Sequence, residues 1–275
     1  MGMGAAGAAA VSSVITLEER DRASLSNKVG RGLRLSIENK EENRRGGGAV
    51  VMLSGGLDSA TTAWIAKKEC NELYAITFDY GQSHRKEIEC AVQLGSILGV
   101  ERHTVIEVPI GQVIGPYSSL FDKDNIPKRG LTRGIPSTWV PQRNSIFLAI
   151  AFSWAEVVGA DRVYAGMNNV DYSGYPDCRP EFLKAINIAL NLASRRFVET
   201  GRGITIVTPL VGLSKNRIVA LGFELGVPFQ NTTSCYVGEE EACGKCDSCQ
   251  IRLKAFASLG EVDPIKYKDG IGLIR

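Results

Sequence analysis

The chain has 275 residues, of which 44% are hydrophobic and 23% are charged, close to the average for a globular protein. This composition excludes a disordered chain or a fibrous repeat, and no uncharged apolar run reaches the roughly 18 residues needed to cross a bilayer. The net charge of +2 lacks the strongly basic balance typical of proteins that bind nucleic acid. We therefore expect neither nucleic acid nor a membrane as a direct partner.

The first 48 residues differ from the rest and end in a charged tract that runs into Gly46-Gly47-Gly48. They show little apolar periodicity, which predicts an extension that is helical around residues 17–26 and otherwise mobile. The start of the chain lacks the basic n-region and apolar h-region of an export signal. With an odd number of cysteines, seven, this favours a reducing, cytoplasmic compartment over a secreted disulfide scaffold.

From Ala49 onward, short apolar runs alternate with helical patterns. The predicted strands cover residues 49–54, 73–79, 101–108, 161–166 and 203–210. The predicted helices cover residues 60–69, 85–100, 145–160, 180–196 and 215–226, and residues 111–140 are predicted to be a long functional loop. Strands that alternate with crossover-length helices predict a Rossmann-like α/β fold, a parallel sheet with helices on both faces. We expect residues 49–230 to form this domain and residues 231–275 a smaller region packed on it.

The first predicted strand runs directly into a loop rich in glycine and serine, Leu53–Ser59 (LSGGLDS). Its two glycines permit positive φ and let backbone N–H groups approach an anion closely. Hydroxyl groups and the positive end of the following helix add to the attraction. The loop therefore predicts a phosphate site, and an ordinary tight turn capped by serine and aspartate is the alternative.

This loop lacks the GK[ST] of a Walker loop and the G-x-G-x-x-G of dinucleotide folds. A loop without the lysine suits an enzyme that holds pyrophosphate while the α-phosphorus is attacked. The SGG-x-DS pattern resembles the pyrophosphate-loop, or N-type, ATP pyrophosphatase superfamily, whose members adenylate a carbonyl or carboxylate oxygen. The resemblance implies an adenine nucleotide alpha hydrolase-like fold.

Four cysteines follow one another closely near the end of the chain, as Cys235-x7-Cys243-x2-Cys246-x2-Cys249. Four thiolates at short spacing match a closed tetrahedral Zn²⁺ site with a folding role, and an iron–sulfur cluster or free thiols are the alternatives. Lys245 and Arg252 are candidates to offset the negative charge of such a centre.

The stretch from about Ala49 to Tyr267 resembles the 7-cyano-7-deazaguanine synthases. The matching segments, in family order and without a large insertion, are residues 78–89, 135–151, 167–182, 208–215, 233–236, 243–252 and 262–267. The resemblance implies that 7-carboxy-7-deazaguanine is adenylated by ATP, attacked by ammonia to give the amide, and dehydrated to the nitrile at the cost of a second ATP. Such an enzyme is a carbon–nitrogen ligase in the biosynthesis of queuosine or archaeosine.

The resemblance also implies roles for individual residues at the nucleotide. Asp58 is either a contact of the Mg²⁺ that accompanies ATP or a helix cap, Lys215 approaches the phosphates or is an exposed lysine, and Arg143 binds phosphate or carboxylate or forms a structural ion pair. The expected ATP-binding residues are Leu53, Ser54, Gly55, Gly56, Leu57, Asp58, Ser59, Ala60, Thr61, Thr62 and Ala63.

For the deazaguanine, the best candidate is the segment 171–179. A guanine-like edge suits a carboxylate acceptor, Asp171 or Asp177, and Tyr172 or Tyr175 could stack on the ring, with Arg179 nearby. The alternative is a tyrosine-rich turn that only packs. We expect Cys178 to pack rather than to form a thioester, His84 to lie near ATP and His103 to be structural.

The motifs leave one alternative activity open. A synthase-like enzyme that couples the adenylated deazaguanine to another amine, such as a protein amino group, would carry nearly the same motifs. Family resemblance implies a homodimer.

Overall fold

The computed structural model describes residues 47–82, 85–122, 124, 126–127, 134–168 and 175–268. The predicted N-terminal extension up to residue 46, His84, Asp171 and Tyr172 lie outside the described residues. Within the described part of the chain, no helix combines the length and the apolar character needed to cross a membrane.

Five parallel strands form one sheet in the order β3-β2-β1-β4-β5. They are β1 Gly48–Met52, β2 Glu72–Asp79, β3 Arg102–Glu107, β4 Arg162–Ala165 and β5 Thr205–Val207. Strand β1 is buried because it pairs with β2 on one side, Val50 opposite Tyr74, and with β4 on the other, Val50 opposite Val163. The strand order reverses between β1 and β4. At such a reversal an open α/β sheet has a crevice at the carboxyl ends of its strands, and ligands bind there. The predicted parallel α/β fold is confirmed.

Eight α-helices are seen in the described residues. They are α1 Leu57–Glu69, α2 Lys86–Leu98, α3 Ile110–Ile114, α4 Arg143–Val158, α5 Pro180–Leu192, α6 Arg195–Thr200, α7 Lys215–Leu225 and α8 Asp247–Ala257. Short 3-10 turns occupy Gly115–Tyr117, Ser119–Phe121, Pro176–Cys178 and Phe229–Asn231. Two apolar clusters lie on opposite faces of the sheet, and α8 contributes Ala255 and Phe256 to the one that contains α1.

Two predictions about secondary structure need correction. The helix predicted over residues 180–196 ends at Leu192, because the Ser194 hydroxyl accepts a hydrogen bond from Phe197 N and begins α6. The predicted loop at 111–140 contains α3 and two 3-10 turns in its described part. Helix α8 is not among the predicted helices, because the sequence around it was interpreted only as a cysteine cluster.

Candidate active site

The loop between β1 and α1 is shaped by close backbone packing. Gly55 has φ +87°, and a Cβ there would lie 2.0 Å from Glu87 O, so only glycine fits. Gly55 O also accepts a hydrogen bond from Thr233 N at 3.0 Å. The loop is thus held between helix α2 on one side and the segment before the cysteine cluster on the other.

The two serines of the loop bind one another. Ser54 N and Ser54 Oγ both donate to Ser59 Oγ, at 3.1 and 3.0 Å, and Ser59 Oγ donates to Gly56 O at 3.0 Å. Helix α1 begins after Gly56, whose backbone is extended, so the first-turn N–H groups have no intrahelical acceptor. The loop therefore presents N–H groups and the positive end of α1 to the cavity above the sheet.

Only the first part of the predicted ATP-binding stretch borders this cavity. Leu53, Ser54, Gly56, Leu57, Asp58 and Ser59 line it. Helix α1 turns Ala60, Thr61, Thr62 and Ala63 into the core, where all four are fully buried and Thr61 Oγ1 donates to Leu57 O. The structure thus brings six of the predicted residues to the cavity, and it places Gly55 and these four behind the surface.

The end of β4 approaches the same helix. A Cβ at Gly166 would lie 2.9 Å from both Asp58 C and Ser59 N, so β4 and the start of α1 are in direct backbone contact. Gly166 also lines the cavity. Sequence reasoning missed it, because single glycines commonly follow strands in turns that bind nothing.

Lys215 provides the positive charge that the loop itself lacks. It is the first residue of α7, and its Nζ lies 2.8 and 2.6 Å from the two carboxylate oxygens of Asp58, although 157 positions separate the two residues. Both side chains are mostly buried and line the cavity. The lysine predicted to approach phosphate is therefore beside the loop, paired with the aspartate predicted to contact Mg²⁺.

Arg143 begins α4 and lines the opposite part of the cavity. Its Nη1 donates to Tyr80 Oη at 3.2 Å, and its guanidinium lies 5.4 Å from the centre of the Tyr80 ring. Burial raises the pKa of Tyr80 to about 12, so the phenol stays protonated. Arg143 Nε also donates to Asn144 Oδ1 at 3.4 Å, and no carboxylate of the described residues forms an ion pair with this arginine.

The predicted base-binding residues that the structure describes lie in three different environments. Tyr175 lines the cavity, and its hydroxyl is 2.6 Å from Thr138 Oγ1. Asp177 is buried beneath the lining, where its Oδ2 accepts from Asn144 N at 3.2 Å and so caps helix α4. Arg179 is exposed at the N-cap of α5 and does not border the cavity.

Cys178 and His103, both expected to have structural roles, lie at the cavity and behind the loop. Cys178 lines the cavity, and burial raises the pKa of its thiol to about 12, which disfavours a thiolate nucleophile. His103 Nε2 is 2.8 Å from Thr77 Oγ1, and Thr77 donates to Leu53 O behind the loop. Both positions agree with the expected packing roles.

The cavity has a volume of about 280 Å³ and joins the loop to an apolar wall. In that wall the rings of Phe78 and Phe147 stack with centroids 4.1 Å apart. Several polar residues of the lining were not predicted, since they come from segments distant in sequence. They are Gln82, Glu87, Asn144, Asn168, Ser234, Tyr236, Ser248 and Arg252.

The four predicted cysteines come together at the base of α8. Their sulfur atoms all lie within 4.8 Å of one another, and Cys235, Cys246 and Cys249 are buried. Backbone N–H groups of Cys243 and Cys246 each donate to a cysteine sulfur at 3.3 Å, as expected around thiolates. Four converging thiols at this range form a group that could bind a metal.

Arg252 does not serve the cysteines as predicted. It is 1% exposed, and its guanidinium binds both carboxylate oxygens of Asp263, at 2.6 and 2.9 Å. It also donates to Thr232 Oγ1 at 2.7 Å and to Phe229 O at 3.2 Å. The arginine therefore fixes the segment that precedes Thr233, whose N–H contacts the glycine loop.

Comparisons with known proteins identify relatives of this chain. Residues 48–260 match the family model described as "Queuosine biosynthesis protein QueC". The 7-cyano-7-deazaguanine synthase of Oceanobacillus iheyensis is 48% identical over 219 residues, which cover 80% of this chain and 97% of that protein. The synthase of Geotalea uraniireducens is 46% identical, over 81% of this chain and 97% of that protein. Among solved structures, NMN synthetase from Francisella tularensis is 18% identical with a TM-score of 0.45, over 85% of this chain and 87% of that one.

The match spans most of the chain and includes both the glycine loop and the four cysteines. The alignments with these two synthases span 97% of the length of each synthase. The chain belongs to the QueC family, that of the 7-cyano-7-deazaguanine synthases.

Proposed function

We propose that the chain is an ATP-dependent carbon–nitrogen ligase that converts 7-carboxy-7-deazaguanine and ammonia into 7-cyano-7-deazaguanine. Each nitrile formed would use two ATP and release two AMP and two diphosphate. The observation that carries this proposal is the loop of N–H groups at the β1 end, with Lys215 brought onto it, in a chain 48% identical to a curated synthase. No observation favours coupling of the adenylate to another amine.

The phosphates of ATP would bind at the glycine loop. The N–H groups at the start of α1 offer donors and a positive dipole end, which suit the β- and γ-phosphoryl oxygens. Lys215 supplies a compact positive charge at 2.6 Å from Asp58, and it can turn from that carboxylate to a phosphate oxygen within the same cavity. Asp58 would then be free to hold the Mg²⁺ that accompanies the nucleotide.

The chemistry requires a carbonyl oxygen to become a good leaving group twice. First, a carboxylate oxygen attacks the α-phosphorus and diphosphate leaves; ammonia then attacks the acyl carbon, and AMP leaves with the bonding electron pair. Next, the amide oxygen attacks the α-phosphorus of a second ATP, and loss of AMP and of the N–H protons gives the nitrile. Both carboxylate oxygens therefore end in AMP.

The deazaguanine would lie at the other end of the cavity. Arg143 would bind the substrate carboxylate there, since it lines that end of the cavity and has no carboxylate partner among the described residues. Phe78 and Phe147 give an apolar wall, and Tyr175 gives a ring close to it. Asp171 and Tyr172 remain candidates for the base edge. Asp177, which caps α4, would act by holding Arg143 in place rather than by touching the base.

The four cysteines would hold one structural zinc ion. Tetrahedral zinc binds thiolates at about 2.3 Å, and so needs sulfurs roughly 3.8 Å apart, a small contraction from a group already within 4.8 Å. Zinc would stabilise the region around α8, and no step of the reaction passes through it. Light scattering can test the homodimer implied by family resemblance, and cell fractionation can test the cytoplasmic location that the cysteine pattern favours.

The test is an incubation of the purified protein with 7-carboxy-7-deazaguanine, ATP, Mg²⁺ and ammonium, followed by mass spectrometry and nucleotide analysis. We expect a product that has first exchanged a hydroxyl for an amino group and then lost water, with AMP and diphosphate. Release of ADP, or accumulation of the amide without loss of water, would contradict the proposal.

A further inference from the structure

The short segment after β4 contacts both of the helices that carry the charged pair of the cavity. Gly166 packs on the start of α1, where a Cβ would lie 2.9 Å from backbone atoms of that helix. Two residues later, Asn168 Nδ2 donates to Leu210 O at 3.3 Å and to Leu213 O at 2.6 Å. Leu213 lies two residues before Lys215, which begins α7. The segment therefore connects the starts of α1 and α7 across the end of the sheet.

The side chain of Asn168 is built into the turn that precedes α7. It is 8% exposed, and an asparagine amide nitrogen has two N–H donors, so one side chain can hold both carbonyls of the turn. The same turn is closed by its own backbone, since Leu213 N donates to Leu210 O at 3.0 Å. A buried carbonyl that loses its donor is costly, so the amide determines where this turn can lie.

The hydrophobic core anchors the body of α7 rather than its first turn. Ser214 is the N-cap residue but makes no side-chain capping bond, because its hydroxyl donates to Asn216 Oδ1, and Asn216 is exposed. The first fully buried residues of the helix are Ile218 and Val219, which belong to the apolar cluster that contains α1. The backbone of Lys215 lies before this anchor, and its position depends on the turn that Asn168 holds.

We propose that Asn168 is a positioning residue for Lys215, an inference that rests on the proposed function, in which Lys215 meets the phosphates of ATP. The amide of Asn168 fixes the turn at residues 210–213, so that α7 starts beside Asp58 and the glycine loop. Lysine is a compact charge on a flexible four-carbon stem, so the position of its Cα determines which phosphate oxygens the ammonium reaches. Without the amide, the body of α7 would stay in the core while its first turn shifts, and Lys215 would spend less time at the phosphates.

Asn191 on α5 provides a matched control for a buried asparagine with a purely structural role. It is 7% exposed, and its Nδ2 also donates to two carbonyls, Ile204 O and Asn187 O, each at 2.8 Å. Its Oδ1 accepts from Ile204 N at 2.8 Å, directly before β5 begins. This is the end of the strand opposite to the cavity, and Asn191 does not line the cavity. Alanine at Asn191 therefore removes a similar buried amide without disturbing α7.

The experiment compares Asn168→Ala with Asn191→Ala in the full chain, each made in the native protein and in Lys215→Met. Adenylation is followed as the exchange of diphosphate into ATP that depends on 7-carboxy-7-deazaguanine, measured without a nitrogen source. We expect Asn168→Ala to lose about tenfold in kcat/KM for ATP in the native protein and less than about twofold in Lys215→Met, because the amide acts through the lysine. Asn191→Ala should change exchange by less than about twofold in both proteins, although both alanines lower the urea midpoint.

Two results would overturn the inference. Equal losses from Asn168→Ala with and without Lys215 would show that Asn168, which also lines the cavity, acts independently of the lysine. A loss of exchange no larger than that of Asn191→Ala would leave Asn168 a structural role alone. If Asn168→Ala does not fold, judged by urea denaturation, Asn168→Ser keeps one donor, and we expect a loss of about threefold that again requires Lys215. Failure of the native protein to catalyse exchange, or full exchange by Lys215→Met alone, would instead contradict the proposed function.

Discussion

Replacement of Arg252 by methionine should destabilise the protein more than any other single change to the cavity lining. The substitution leaves the Asp263 carboxylate, 5% exposed, with Tyr267 Oη at 2.7 Å as its remaining side-chain donor among the described residues. Breaking a buried ion pair by removing one partner costs about 3–5 kcal/mol, because the other charge stays buried without compensation. Thr232 Oγ1 and Phe229 O lose a donor as well.

The assay is urea denaturation of the native protein and of Arg252→Met. With a slope of about 2 kcal/mol per M, a loss of about 4 kcal/mol lowers the midpoint by about 2 M. The double variant Arg252→Met with Asp263→Leu is the control. It removes both charges and should lose clearly less than the two single variants together. A loss below about 1 kcal/mol for Arg252→Met would refute the reasoning.

Three further predictions concern the loop, the lysine and the cysteines. Gly55→Ala should abolish adenylation, because its Cβ would lie 2.0 Å from Glu87 O. Gly81→Ala, at φ +84° with no atom of the described residues within 4 Å of its Cβ, should cost only about 1 kcal/mol in a thermal melt and leave the exchange of diphosphate into ATP intact. Equal effects of the two alanines would contradict the role of close packing. Lys215→Met should lower the rate of carboxylate-dependent exchange of diphosphate into ATP by about 10²-fold, and it should also lower the urea midpoint, because it leaves the mostly buried Asp58 carboxylate without its lysine; an unchanged exchange rate would remove the lysine from the phosphate site. Elemental analysis should find close to one zinc per chain, and Cys246→Ser should lose both the metal and the cooperative unfolding transition; a metal-free variant that melts like the native chain would contradict a structural site.

Local patterns in the sequence predicted the parts of the site whose chemistry lies within one segment. Leu53–Ser59 was predicted as a phosphate loop because a buried strand, two glycines and a helix start follow one another. The four cysteines were predicted to form a metal site, because ligands that lie close together in sequence can surround one ion without a distant partner. The alternation of apolar runs with helical patterns predicted the parallel sheet, whose central strands β1 and β4 are mostly buried.

What the sequence did not predict depends on contacts between distant segments. The pairing of Lys215 with Asp58 joins the starts of two helices that only the folded chain brings together. Arg252 was assigned to the cysteines because they are its neighbours in sequence, but its partner Asp263 lies on the segment after α8. The partner of a buried charge depends on which segments the fold brings together. A single sequence does not show which distant residue that partner is.

The central claim is that an oxygen of the substrate carboxylate attacks the α-phosphorus of ATP. The most direct test uses 7-carboxy-7-deazaguanine labelled with ¹⁸O in both carboxylate positions, with unlabelled ATP, water and ammonium. We predict that the AMP carries one ¹⁸O for each adenylation and that the diphosphate carries none. Label in inorganic phosphate or diphosphate, or unlabelled AMP, would contradict the account.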